Sequence, residues 1–102
     1  MHPIWTAIIQ ERRINVNIRY GTIIAVITES KNVIIVKTDN ERRLAIYFNK
    51  SSKAAILFEF RIKSLKSDLI SKKVRIDFDL EKIFAVKASR TGIKWTKAYY
   101  LD

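Results

Sequence analysis

The chain has no cysteine, one histidine, one proline and two glycines among its 102 residues. Without cysteine there are no disulfides, thiolate metal sites or cysteine nucleophiles, and the simplest compartment is the cytoplasm. The lone histidine, His2, stands beside Met1 with no carboxylate cluster near it, so nothing fixes its imidazole for catalysis or metal ligation. With glycine confined to Gly21 and Gly92, the chain lacks a phosphate-cradling loop, a dinucleotide fingerprint and a nucleophile elbow. No apolar run approaches the roughly 20 residues of a membrane-spanning helix. The first ten residues also lack the basic start and cleavage site of a secretory leader. These absences argue against an enzyme and call for no cofactor, metal or membrane.

Positive charge is abundant. Twenty lysines and arginines face ten acidic residues, a formal net charge of +10, and such an excess on a small domain attracts polyanions, of which nucleic acid is the commonest. Hydrophobic residues make up 48% of the chain, enough for one core and one folded unit at this length. Pairs such as Ile23-Ile24 and Ile34-Ile35 favour pleated sheet over helix.

Period-two alternation marks the strands. Ile14, Val16, Ile18 and Tyr20 alternate with Asn15, Asn17 and Arg19, and the strand continues through Gly21 to Ile27. Gly21 is the expected place for a bulge or sharp bend. Turns at Glu29–Asn32 and Thr38–Glu41 separate strands at Val33–Lys37 and Leu44–Phe48. From Lys53 to Ser71 the signals conflict: Ala54-Ala55-Ile56-Leu57 favours helix, whereas Phe58, Phe60 and Ile62 alternate like a strand. A short helix around Ser64–Ile70 fits the spacing of Leu65, Leu69 and Ile70. Val74–Leu80 and Ile83–Ala88 form a final hairpin. The expected fold is all-β: a small five-stranded antiparallel Greek-key barrel of the OB type, with a short helix or irregular segment between strands 3 and 4. Residues 1–89 form the barrel unit, and 90–102 are an appended basic-aromatic tail or a sixth strand.

Over about Arg19 to Ser89 the chain resembles the cold-shock domain, the nucleic-acid-binding form of this barrel. The resemblance lies in Arg19-Tyr20-Gly21-Thr22-Ile23, in Leu44-Ala45-Ile46-Tyr47-Phe48, and in the hairpin Val74-Arg75-Ile76-Asp77-Phe78 with Phe84-Ala85-Val86-Lys87-Ala88. It implies RNA or single-stranded DNA as partner. Where that family carries a first-strand tryptophan this chain has Ala25, and where it carries second-strand aromatics this chain has Lys31-Asn32-Val33-Ile34-Ile35-Val36. Tyr47, helped by Phe48, is what remains for base stacking.

If Ile34, Val36, Leu44 and Ile46 point inward, Lys37, Arg43, Ala45 and Tyr47 share the outward face, with Lys31, Arg42 and Lys50 at the turns. Lys87 on the last strand adds charge. The run Lys94-Trp95-Thr96-Lys97-Ala98-Tyr99-Tyr100 interleaves cations and aromatics, as single-strand clasps do, although Trp95 and Tyr99 also suit a lid packed over the core. The expected nucleic-acid-binding set is therefore Lys31, Lys37, Arg42, Arg43, Tyr47, Phe48, Lys50, Lys87, Lys94 and Trp95, gripping phosphates with little sequence preference. Asp77 and Asp79 could be imagined as a catalytic carboxylate pair, but charge balance with Arg75 and Lys87 is the simpler role. Two other readings compete. One is a protein-interaction or homo-oligomer-forming barrel that covers Val33, Ile35 and Phe58 or Phe60. The other is a β-ribbon reader of duplex DNA.

Overall fold

A computed structural model of the chain describes residues 17–86 and 91–102. Seven strands, β1 (Ile18–Ile27), β2 (Asn32–Thr38), β3 (Arg43–Phe48), β4 (Lys73–Asp77), β5 (Lys82–Ala85), β6 (Ile93–Lys94) and β7 (Lys97–Tyr100), form one antiparallel sheet. Its order is β6-β5-β4-β1-β2-β3-β7. A 3-10 turn (Lys50–Ser52) and two short helices, α1 (Lys53–Phe60) and α2 (Leu65–Asp68), stand between β3 and β4. The all-β class is as expected, but among the described residues the strand count is seven, not five. Ile14, Val16, Lys87 and Ala88, also read as strand, lie outside the described residues.

The two additional strands come from the segment read as a tail or sixth strand. β6 pairs with β5 at one end of the sheet and β7 with β3 at the other, yet only Trp95 and Thr96 separate them in the chain. Three residue steps reach at most roughly 10 Å, so the sheet must curl until its two ends nearly meet. Backbone bonds mark the crossing: the Trp95 N–H donates to the Glu81 carbonyl at 2.9 Å, and the Thr96 N–H to the Tyr47 carbonyl at 2.8 Å. The segment thus helps to make the barrel-like shape.

β1 is long enough to serve both halves of the curl, pairing through Ile18–Thr22 with β4 and through Gly21–Ile27 with β2. The bulge expected at Gly21 falls instead at Ile24, where the register steps from Ile23 opposite Val36 to Ala25 opposite Ile35. Gly21 answers a different need. A Cβ there would lie 2.5 Å from Val36 Cγ1 and 2.7 Å from the Lys37 carbonyl oxygen, so β2 can press this close only against a glycine. Gly21→Val is expected to lower stability by about 1–3 kcal/mol, as overpacking does. A urea midpoint equal to that of the parent would show that β2 can move aside.

Ile23, Ile34, Val36, Leu44, Ile46, Val74, Ile76 and Ile83 form the inner wall, and Ile56, Phe60, Leu65 and Leu69 from the helical segment pack against it. Phe58, Phe60 and Ile62 mislead as a strand because α1 ends within them. Arg61 adopts the left-handed conformation (φ 54°, ψ 50°), its N–H bonding to the Phe58 carbonyl while the Ile62 N–H bonds to that of Leu57. This pattern of two backward bonds satisfies the last helical carbonyls and returns Ile62 to the core beside Leu57. Phe58 is left 77% exposed. The buried Glu59 carboxylate accepts the Ala85 N–H at 3.1 Å, tying α1 to the end of β5.

Candidate nucleic-acid interface

Register decides which side chains share the outward wall. Lys37 lies opposite Arg43, Ile35 opposite Ala45 and Val33 opposite Tyr47, while Ile34 and Val36 face Ile46 and Leu44 on the inner side. The same parity carries into β7, where Tyr47 lies opposite Lys97 and Ala45 opposite Tyr99. Lys37, Arg43, Tyr47, Lys97 and Tyr99 therefore occupy one face.

Its centre is aromatic. The Tyr47 and Tyr99 rings stack with centroids 5.4 Å apart and an interplanar angle of 28°, and the Tyr99 hydroxyl donates to that of Tyr47 at 2.8 Å. Lys97 Nζ sits 4.8 Å from the Tyr47 centroid and 5.8 Å from that of Tyr99. Tyr99 is exposed and Tyr47 half-buried, so the pair turns an aromatic surface with an adjacent cation toward solvent.

Losing the Tyr99 proton breaks that bond, and this, more than its slight desolvation, holds its phenol above the ordinary range. Because the folded value is raised, the associated stability is present below the unfolded pKa near 10 and is lost as pH rises through the folded value. In an ultraviolet titration one tyrosine is expected to ionise late, and Tyr47→Phe, which removes the acceptor, should return it toward the usual range. A late tyrosine that persists in Tyr47→Phe would contradict the bond.

The cations on this wall are not equally free. Lys37 pairs with Glu41 at 3.6 Å and Arg43 with Asp102 at 3.5 Å. The Arg43 N–H and, after it, the Arg43 charge hold the Asp102 carboxyl below its usual range. Arg42 donates to the Asp102 carbonyl at 2.8 Å and lies 3.8 Å over the ring of Tyr100, which is opposite Leu44 on the other face of the sheet, so Arg42 stands apart from Lys37 and Arg43. Such exposed pairs exchange readily with a phosphate partner. Lys94 is apart from this group, paired with Glu81 at 3.9 Å near β5.

Two expected aromatics are withdrawn from the site. Phe48 is one residue beyond Tyr47 and so faces inward, 1% exposed in the core. Trp95 is 6% exposed and packs edge-on against Phe78, with ring centroids 5.7 Å apart. The cluster Lys94–Tyr100 splits because the parity changes at Thr96, sending Trp95, Ala98 and Tyr100 inward and Lys97 and Tyr99 outward. Spacing of two between Lys97 and Tyr99 is the signal that could have picked them out. Lys87 lies outside the described residues. Lys31 and Lys50 stand at the end of the sheet where β1 turns into β2, and Lys50 Nζ donates to the Thr28 and Glu29 carbonyls.

The two aspartates have local tasks. Asp77 closes β4 and accepts the Leu80 N–H at 2.9 Å. Asp79 lies beyond the strand, in the turn, where both its oxygens take the Asn17 amide at 3.0 and 2.9 Å. On the far side of β1, the Arg75 guanidinium lies 4.4 Å over the Phe84 ring, and its Nε has no hydrogen-bond partner among the described residues. Comparison with protein-family models, curated proteins and solved structures returns no significant match for this chain.

Proposed function

We propose that the protein binds RNA or single-stranded DNA along its outward β2–β3–β7 wall, with little sequence preference. The observation that carries the reading is the gathering of Lys37, Arg43 and Lys97 around the stacked Tyr47–Tyr99 pair on one face. Lysine and arginine side chains meet phosphates, and an exposed ring accepts any base, so affinity arises without base-edge readout. The fold reading behind it is an OB-type barrel similar to a divergent cold-shock domain. The sharing of β1 between β2 and β4, and the helical segment after β3, support it.

A single-stranded oligonucleotide is expected to bind more tightly than a duplex of the same sequence in one buffer, because only unpaired bases offer their faces to Tyr99. Stronger duplex binding would favour the β-ribbon reading. Of the residues the interaction-module reading would cover, Val33 and Phe60 are already buried within the single chain, Ile35 is half-buried and Phe58 is exposed. A stable oligomer by light scattering, with no oligonucleotide shift, would replace the proposal with that reading.

A further inference from the structure

Beyond the outward wall, the loops at one end of the sheet enclose a cleft of about 350 Å³, lined by Lys50, Lys53, Lys63 and Lys66 with Asn32 and Ser64. Its backbone is held from three sides. The buried Asn32 amide donates to the Asn49 and Lys50 carbonyls at 3.2 and 3.4 Å, and Lys50 Nζ grips the β1–β2 turn. The Asp68 carboxylate accepts the Lys63 and Ser64 N–H groups at 3.2 and 3.0 Å. Those donors, Ser64 first, keep the Asp68 carboxyl below its usual range, so it remains an anion occupied with backbone.

Lys53, Lys63 and Lys66 differ from Lys37 and Arg43 of the wall, which are paired. Among the described residues, none has a carboxylate within 4.0 Å. All three are exposed. Three unneutralised ammonium groups on fixed backbone around one recess form a field that an anion relieves. Tyr47 stands three residues before Lys50, at the end of β3 from which the chain leads into the cleft.

The geometry points to this cleft as a phosphate-binding site, with Lys53, Lys63 and Lys66 as the contacting residues and Lys50 positioning the turn. Resting on the nucleic-acid reading, it takes the phosphodiester of a strand whose bases reach Tyr99. A free phosphate or pyrophosphate offers the same oxygens.

Amide chemical shifts of the intact chain, recorded with inorganic pyrophosphate and separately with oligothymidylate, test the site without any substitution. Both are expected to move the amides of residues 50–53 and 63–66. The variant Lys53→Gln/Lys63→Gln/Lys66→Gln, with melting checked against the parent, should lose the pyrophosphate response. It should also flatten the slope of log affinity against log salt for the oligonucleotide by about 2, since each single-strand phosphate contact contributes about 0.7. Pyrophosphate shifts without any oligonucleotide binding would uphold the phosphate site while removing the nucleic-acid function. Oligonucleotide binding that leaves these amides unmoved and the variant's slope unchanged would overturn the cleft and leave the wall standing. Silence of the cleft toward both probes would also overturn it.

Discussion

Phe48→Ala is expected to cost about 3–5 kcal/mol of folding stability, the usual loss when a fully buried phenylalanine is truncated and its cavity only partly collapses. Phe48 is 1% exposed and belongs to the same buried cluster as Ile46, Ile56 and Trp95. Small domains hold only about 5–15 kcal/mol in total, so this one change could remove a large share. Denaturant unfolding of the variant should show a sharply lowered midpoint, while the molecules that remain folded bind single strands as the parent does. A variant of parental stability with weakened binding would return Phe48 to the interface and reverse the inward orientation of that position.

The neighbouring residue should behave in the opposite way. Joint replacement Tyr47→Ala and Tyr99→Ala is expected to weaken single-strand binding by about 1–3 kcal/mol, the worth of one stacked base, or roughly 5- to 150-fold. Duplex affinity should fall much less, since paired bases are stacked on one another. Tyr99 is 45% exposed, so its loss leaves a modest scar in packing. Arg43→Ala supplies the contrast. It should weaken all nucleic acids about equally, as the loss of a phosphate contact does. If the double tyrosine variant binds single strands like the parent, base stacking on this pair is excluded whatever the lysines do.

Strand faces were legible in the sequence where alternation was uninterrupted. In β2 and β3 the residues Ile34, Val36, Leu44 and Ile46 lie on one side and Lys37, Arg43, Tyr47 and the buried Ala45 on the other, as period two assigns them. Phe48 follows the same rule, since its parity already put it with Ile46 and not with Tyr47. Legibility failed where parity or period changes. The segment 53–62 carries both a helical apolar spacing and a false alternation, because the left-handed Arg61 folds Ile62 back onto the core. Near Trp95 the chain leaves one end of the sheet for the other, and the step at Thr96 moves Tyr99 outward while Trp95 stays inside. No local pattern announces that a strand will exchange partners. Lys53, Lys63 and Lys66 were invisible as a group because they come together only once the irregular segment folds over the end of the sheet.

The central claim is that cations around an aromatic pair hold a sugar-phosphate strand, and the salt dependence of binding tests it most directly. Fluorescence anisotropy of a labelled single-stranded oligonucleotide, titrated between about 50 and 200 mM salt, should show affinity falling along a straight line of log affinity against log salt. Several displaced counterions imply a slope steeper than about −2. No association at the lowest salt, or an affinity that salt leaves unchanged, would contradict it.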